Sequence, residues 1–372
     1  MFRLKDKICN IHNNVFYTIE DGIIFQSKNS NDYFLSFIKD SQDLYSCKLD
    51  KYISQICLFT NNIVIIYNDG DFDELNKKLE RIAHKKKKEI KLTLKYIGFN
   101  HKDNLFICYT GDIYSRKAGV YDFLNDSVLF LKQEFFPWMF IEGKLIGKTN
   151  EKVILYNYLD GSTKWKLDVT DLGRHRRNSQ SPEEEGKIEK IIGVYNDLLI
   201  VTITNSTVLA IDIHTGALKG KWRDLPEGQS YGKNARTTLV YPFQSFIDQT
   251  AGKLIGLIGS YYWEIDLYGD TIYLHDATEE FDKHQVGTQT SGHITPQGEH
   301  IFFASQYILP SAAYIQKVAA FNRTTKQIDW FYTFEDLAPT VMPKAPVVEG
   351  DRLYVLDTGG TLHIFERDVQ SL

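Results

Sequence analysis

Val208-Leu-Ala-Ile-Asp-Ile-His-Thr-Gly216 is the stretch that decides the fold. A short apolar strand ends in Asp212, a turn carrying Thr215 and Gly216 follows, and a second strand leads to Trp222. Apolar residues repeating at a period of two mark a strand with a buried face, and an Asp-to-Gly turn between two such runs closes a hairpin. The pattern returns in Val153-Ile-Leu-Tyr-Asn-Tyr-Leu-Asp-Gly161, in Tyr262-Trp-Glu-Ile-Asp-Leu-Tyr-Gly269 and in Val318-Ala-Ala-Phe-Asn-Arg-Thr-Thr-Lys326. Asp122, Asn157, Asp212, Asp266, Asn322 and Glu366 hold the equivalent strand end, about 49 residues apart on average. A further strand pair precedes these hairpins, for example 192–195 with 198–203 and 345–348 with 353–356, which makes four strands per unit. Helical solenoids of similar period need a 3.6-residue pattern, and these segments lack it.

The repeat therefore predicts an all-β chain, a β-propeller of four-stranded antiparallel blades forming a single domain over residues 1–372. Its last unit, 345–368, holds only three strands. An open ring would leave a sheet edge able to template aggregation, so an N-terminal strand is expected to complete the last blade. Five units fit between about 95 and 335, and one or two more fit residues 12–95. Seven blades are expected, with eight as the alternative.

Trp165 and Trp330 each stand eight residues beyond Asn157 and Asn322. In the Asp212 repeat that place is Gly220, and Trp222 follows two residues later on the same strand face. The order of apolar strand, Asp, Thr-Gly turn and Trp resembles the PQQ-type propeller repeat. That repeat occurs in quinoprotein alcohol dehydrogenases and in an outer-membrane assembly lipoprotein. The resemblance covers about residues 95–370 and is sharpest in Ile211-Asp-Ile-His-Thr-Gly216; several units lack the Thr-Gly. It implies the fold but no single function, because such repeats serve both enzymes and scaffolds. The enzymatic members bind PQQ and Ca²⁺, and many carry an adjacent cysteine pair. This sequence has no such pair, is much shorter and shows no export signal, so the resemblance points to a non-enzymatic member with no cofactor.

Composition narrows the function classes. The net charge of −5 is small for 372 residues and gives no basic excess for nucleic acid or anionic lipid. No apolar run reaches the roughly 18 residues of a membrane span, and no apolar stretch of signal-peptide length follows Met1-Phe-Arg-Leu-Lys. A cytoplasmic location is expected. Cys9, Cys47, Cys57 and Cys108 have no C-x-x-C spacing and read as reduced thiols. No Walker loop, H-E-x-x-H helix, G-x-S-x-G elbow or Rossmann fingerprint occurs, and the closest histidines, His293 and His300, are seven apart. Neither a catalytic residue nor a metal ligand is named.

Several segments interrupt the repeat. Phe72, Leu75, Leu79 and Ile82 lie at helical spacing after Asp71, with Glu74 placed as in a capping box. A short amphipathic helix is expected there, inserted near 71–88 and ending in His84-Lys-Lys-Lys-Lys88. Gly173-Arg-His-Arg-Arg-Asn-Ser-Gln-Ser-Pro-Glu-Glu-Glu-Gly186 reads as an exposed insertion near 173–188. Arg174, Arg176 and Arg177 make it the best cluster for an acidic partner, since guanidinium forks pair bidentately with carboxylates. Two more loops stand out: 226–236, with Tyr231, and Ser305-Gln-Tyr-Ile-Leu-Pro-Ser311, with Tyr307.

A siteless rigid ring of this kind is expected to be a protein-binding scaffold, a monomer on its own whose loops meet another protein. An immunity protein that neutralises a toxin is one concrete form. The alternative is a hydrolase or lyase acting on a glycan or small metabolite through residues converging at the central channel.

Overall fold

Eight four-stranded antiparallel sheets make up the chain in a computed structural model. It describes residues 2–367 except 20–21, 30–31, 40–42, 59–61, 68, 70, 86–92, 96–104, 112–115, 124, 177–179, 231–244, 270, 289–293, 309–313 and 335–344. Strand β1 (Phe2–Ile8) is set aside for the last blade. Blade 1 is β2 (Ile11–Ile19), β3 (Gly22–Asn29), β4 (Asp32–Lys39) and β5 (Asp43–Leu49). Blade 2 is β6 (Ile53–Leu58), β7 (Asn62–Tyr67), β8 (Phe72–Asn76) and β9 (Arg81–Lys85). Blade 3 is β10 (Thr93–Lys95), β11 (Leu105–Thr110), β12 (Lys117–Asp122) and β13 (Ser127–Lys132). Blade 4 is β14 (Pro137–Ile141), β15 (Lys144–Lys148), β16 (Lys152–Tyr156) and β17 (Thr163–Asp168). A small hairpin, β18 (His175–Arg176) and β19 (Glu183–Glu184), precedes blade 5: β20 (Ile188–Tyr195), β21 (Leu198–Ile203), β22 (Thr207–Asp212) and β23 (Leu218–Trp222). Blade 6 is β24 (Ser245–Asp248), β25 (Lys253–Ile258), β26 (Tyr261–Asp266) and β27 (Ile272–Asp276). After helix α1 (Thr278–His284), blade 7 is β28 (Ile294–Gln297), β29 (His300–Ile308), β30 (Tyr314–Asn322) and β31 (Ile328–Thr333). Blade 8 is β32 (Val347–Glu349), β33 (Arg352–Leu356) and β34 (Leu362–Arg367), completed by β1.

The ring is closed as expected, with β1 pairing antiparallel to β34 from Phe2↔Arg367 to Ile8↔Leu362. It has eight blades, the alternative, rather than seven. The extra blade comes from the segment expected to be helical. Residues 71–83 form no helix; they supply β8 and β9, the outer half of blade 2. Asn76 turns the chain: its side-chain oxygen accepts the N–H groups of Lys78 and Glu80, and Leu79 takes φ +62. Leu79 is thereby buried and Ile82 stands outside, so helical spacing arose from two strands joined by a left-handed turn.

Stacking of blades explains why the strands are apolar at consecutive positions. Eight buried clusters fill eight interfaces, one between each neighbouring pair of blades, including blades 8 and 1. In β21, Leu199 and Val201 pack toward blade 4 while Leu198 and Ile200 pack toward blade 6. Each buried Leu or Ile contributes about 1.5–3 kcal/mol, so no blade is stable without two neighbours. First strands of neighbouring blades, β2 and β6, β20 and β24, β28 and β32, approach one another and so lie nearest the axis.

The repeat residues couple each blade to the next. The backbone N–H groups of His214 and Thr215 donate to the Asp212 carboxylate, and the Gly216 N–H donates to the Asp212 carbonyl. Asn322 and Asp266 organise their turns the same way, while Asn157 receives the Leu159 and Gly161 N–H groups. Across the interface, Trp165 lies against Gly216 and donates Nε1–H to the Ile213 carbonyl at 3.0 Å. Trp222 donates to the Gly269 carbonyl at 3.1 Å, and its ring covers Gly220, which explains the side chain missing there. Trp330 donates to the Phe2 carbonyl at 3.0 Å and meets the rings of Phe2 and Phe365 edge-on. The same device that joins blades 4 and 5 thus locks the ring shut.

Candidate partner-binding face

Strand alternation sends every fourth-to-first and second-to-third connection out of one face of the ring, here the loop face. Every first-to-second and third-to-fourth connection leaves the other, the turn face. Backbone bonds tie the connections within each face: Ile11 N–H to Gly360, Ile188 to Asn150 and Thr204 to Lys187 on the loop face; Ile213 to Asp197, Leu267 to Gly252 and Arg323 to Glu299 on the turn face.

The two faces differ in chain length. The turn face is made of tight turns such as 142–143, 196–197, 298–299 and 350–351, with 96–104 as its long exception. The loop face carries 86–92, 169–187, 223–244, 277–293, 309–313 and 334–346. Of the partner-binding residues named from sequence, the described ones, Arg174, Arg176 and Tyr307, belong to connections or strand ends of that single face. Loops rather than strands carry recognition when a rigid scaffold sets their roots.

Two insertions on this face are built. In the first, Gly173 and Gly186 touch at the base of the β18–β19 hairpin, where a Cβ on either would stand 2.8 Å from the other's Cα. Arg174 is spent inside it, on Asp171 and on Glu183. Arg176 is exposed, paired through its backbone with Glu183, and meets no acid among the described residues. Arg177 lies outside the described residues, as does Tyr231. The second insertion holds α1, which was not foreseen from sequence. Glu279 and Glu280 open it, Lys283 and His284 close it, and Phe281 is buried in the core between blades 6 and 7. Tyr307 is no free anchor: its hydroxyl donates to Asp282 of α1 at 3.0 Å. Nor do residues 305–308 form a loop, for they continue β29, and Ser305 is fully buried. Lys317 Nζ donates to the last carbonyl of α1, that of His284, at 2.5 Å; burial holds its pKa below the usual lysine range.

Of the expected basic run, His84 ends in β9 with Nδ1 2.6 Å from the buried Asp73 carboxylate, which also takes Arg81 at 2.8 Å and Tyr67; residues 86–88 lie outside the described residues. Between blades 3 and 5 the face gathers aromatics and cations. Phe136 is 48% exposed. Lys148 Nζ lies 4.2 Å from the Trp138 ring centre and 3.5 Å from the Glu189 carbonyl, and the Arg116 guanidinium lies 4.0 Å over Tyr109. Lys190 on β20 has its pKa lowered by burial alone.

The axis-lining strands offer little acid–base chemistry. The charged residues of these strands are Lys95, Glu189, Lys190, Asp248 and Glu349, with His12 the one histidine. Asp248 is committed to Arg323 at 2.6 Å and to two turn N–H groups. No group of three His, Cys, Asp or Glu able to hold a metal occurs among the described residues. The four cysteines are free thiols; burial raises Cys57 well above the ordinary thiol range and Cys108 to about 12. No described helix is long and apolar enough to cross a membrane.

No protein-family model and no curated protein matches the sequence. Solved structures share the fold. BamB from Moraxella catarrhalis is 12% identical with a TM-score of 0.55, over 98% of this chain and 100% of that one. The C-terminal WD40 domain of Sif2 is 13% identical with a TM-score of 0.58, over 99% of both chains. Sqt1 from Saccharomyces cerevisiae is 12% identical with a TM-score of 0.52, over 99% of this chain and 98% of that one. The chain is a β-propeller, and its likeness to these proteins is one of fold.

Proposed function

We propose that this chain is a non-catalytic protein-binding propeller of the PQQ-like repeat group, working in the cytoplasm and engaging its partner with the loop face. The observation that carries this reading is the concentration of long connections on one side of a ring whose other side is almost wholly tight turns. A scaffold of eight mutually supporting blades holds the roots of those loops, so binding orders few residues and loses little entropy. The sparse charge on the axis-lining strands favours a surface function over a channel enzyme. Capping of a toxin domain by an immunity protein is the specific form of binding this geometry would serve.

The hairpin base provides the test. Because Gly173 and Gly186 already touch, residues 174–185 can be excised and the chain rejoined without moving blades 4 and 5. Affinity capture from the native host should retain one partner in stoichiometric amount with the intact chain, and lose it with the excised chain at unchanged unfolding midpoint. Equal capture by both chains, or no stoichiometric partner at all, would overturn the reading.

A further inference from the structure

On the reading that the loop face binds a protein, we infer that its sector from blade 3 to blade 5 docks an extended, carboxylate-rich segment of the partner, with Arg116, Lys148 and Arg176 set around Phe136 and Trp138. The sector is continuous. Tyr109, beneath Arg116, packs in the same cluster as Phe135, which precedes Phe136. The Lys148 N–H donates to the Phe136 carbonyl, while Lys148 Nζ spans Trp138 and the Glu189 carbonyl of blade 5. The next link is Ile188, bonded to Asn150, and then the glycine base of the β18–β19 hairpin that carries Arg176.

Charge selects the occupant. Elsewhere on this face Lys51 is matched by Asp69 and Asp71, Lys48 by Asp32, Lys283 by Glu280 and His84 by Asp73, while Lys7, Lys28 and Lys317 have no acid among the described residues. In this sector Arg116, Lys117, Arg176, Lys187 and Lys190 have no acidic partner among the described residues, against Glu134, Glu151 and Glu185 as carboxylates without a cation. The Arg116 guanidinium carbon sits 4.0 Å over the Tyr109 ring, and a guanidinium held over an aromatic ring can still pair bidentately with a carboxylate through its N–H groups. Exposed Phe136 and half-buried Trp138 supply the aromatic centre that interface hot spots favour. A nucleic acid fits less well: its unbroken phosphate charge would run over Glu134 and the Glu183–Glu185 acids, on a chain of net charge −5.

The probe is fluorescently labelled poly-L-glutamate titrated with the full chain at low salt, beside oligothymidylate of equal length. Poly-L-glutamate should bind more tightly than the oligonucleotide. The charge reversals Arg116→Glu with Arg176→Glu should weaken it by about tenfold or more, and Lys144→Glu with Lys164→Glu on the turn-face side should leave it unchanged. No binding of poly-L-glutamate, equal loss in both double variants, or tighter binding of oligothymidylate overturns the inference. The native partner separates the two readings. If hairpin excision abolishes its capture and the Arg116, Arg176 reversal does not, the sector assignment falls and the loop face stands; if neither affects capture, the loop face itself is wrong.

Discussion

Replacing Gly216 with alanine probes the joint between blades 4 and 5 with a single methyl group. Gly216 sits at φ +75, and a Cβ there would stand 2.8 Å from Cδ2 and Cε3 of the Trp165 ring. The left-handed backbone alone costs an alanine about 1 kcal/mol. The methyl also forces the indole aside, and the indole cannot move without stretching its 3.0 Å bond to the buried Ile213 carbonyl. Leaving that acceptor unmatched adds about 1–2 kcal/mol, for a total of about 2–3 kcal/mol. Gly350 is the control: it has φ +55 but nothing within 4 Å of its Cβ, so Gly350→Ala should cost about 1 kcal/mol. Urea unfolding followed by near-ultraviolet circular dichroism measures both. In a Trp165→Ala background the Gly216→Ala loss should shrink to that of Gly350→Ala, a coupling of about 1–2 kcal/mol. Equal losses for the two glycines in the parent chain, or a Gly216 loss unchanged by removing Trp165, would refute the picture of the indole seated on that turn.

Other expectations follow from neighbouring features. Deleting residues 1–9 unpairs β34 and bares Phe365 and Trp330, so the shortened chain should run as soluble aggregate or oligomer in size-exclusion chromatography. Asp248, on blade 6, is held below the ordinary carboxylate range; burial opposes this, and the ion pair to Arg323 of blade 7 with the turn N–H groups outweighs it. A carboxyl depressed in the folded state adds stability above its unfolded pKa and loses it as pH falls through the folded value. Asp248→Asn should therefore cost about 1–2 kcal/mol at neutral pH and progressively less below about pH 4, read from urea midpoints across pH. A disulfide-exchange reagent at mildly alkaline pH should label Cys9 in the folded protein, and reach Cys57 and Cys108 only after unfolding.

What sequence reading could and could not see has a physical basis. The hairpins at Asp212, Asp266 and Asn322 were visible because turn chemistry, alternation and spacing agree there, and ring closure was visible because three strands cannot end a propeller. The count of seven rather than eight blades came from Phe72, Leu75, Leu79 and Ile82 in blade 2, where spacing imitates a helix. The signal against a helix was Asn76: its amide bonds the N–H groups ahead of it only in a turn. Helix α1 was missed although Glu279 and Glu280 at its start and Lys283 and His284 at its end complement a helix dipole; seven residues with one buried anchor make a weak pattern. For the candidate face, loop composition marked Arg174 and Tyr307, yet both are engaged within the chain. Trp138 with Lys148 and Tyr109 with Arg116 went unmarked because the aromatic and the cation of each pair sit on different strands or connections, and only the pairing of strands within a blade brings them together.

The pairing of β1 with β34 has a consequence for biosynthesis. The strand that leaves the ribosome before all the others must wait for the one made after them, and until then Trp330 has no carbonyl to hold. Until β34 forms, the ring is an open arc with two unsatisfied ends. Slowing translation over the final unit should raise the yield of insoluble chain far more than slowing it anywhere earlier.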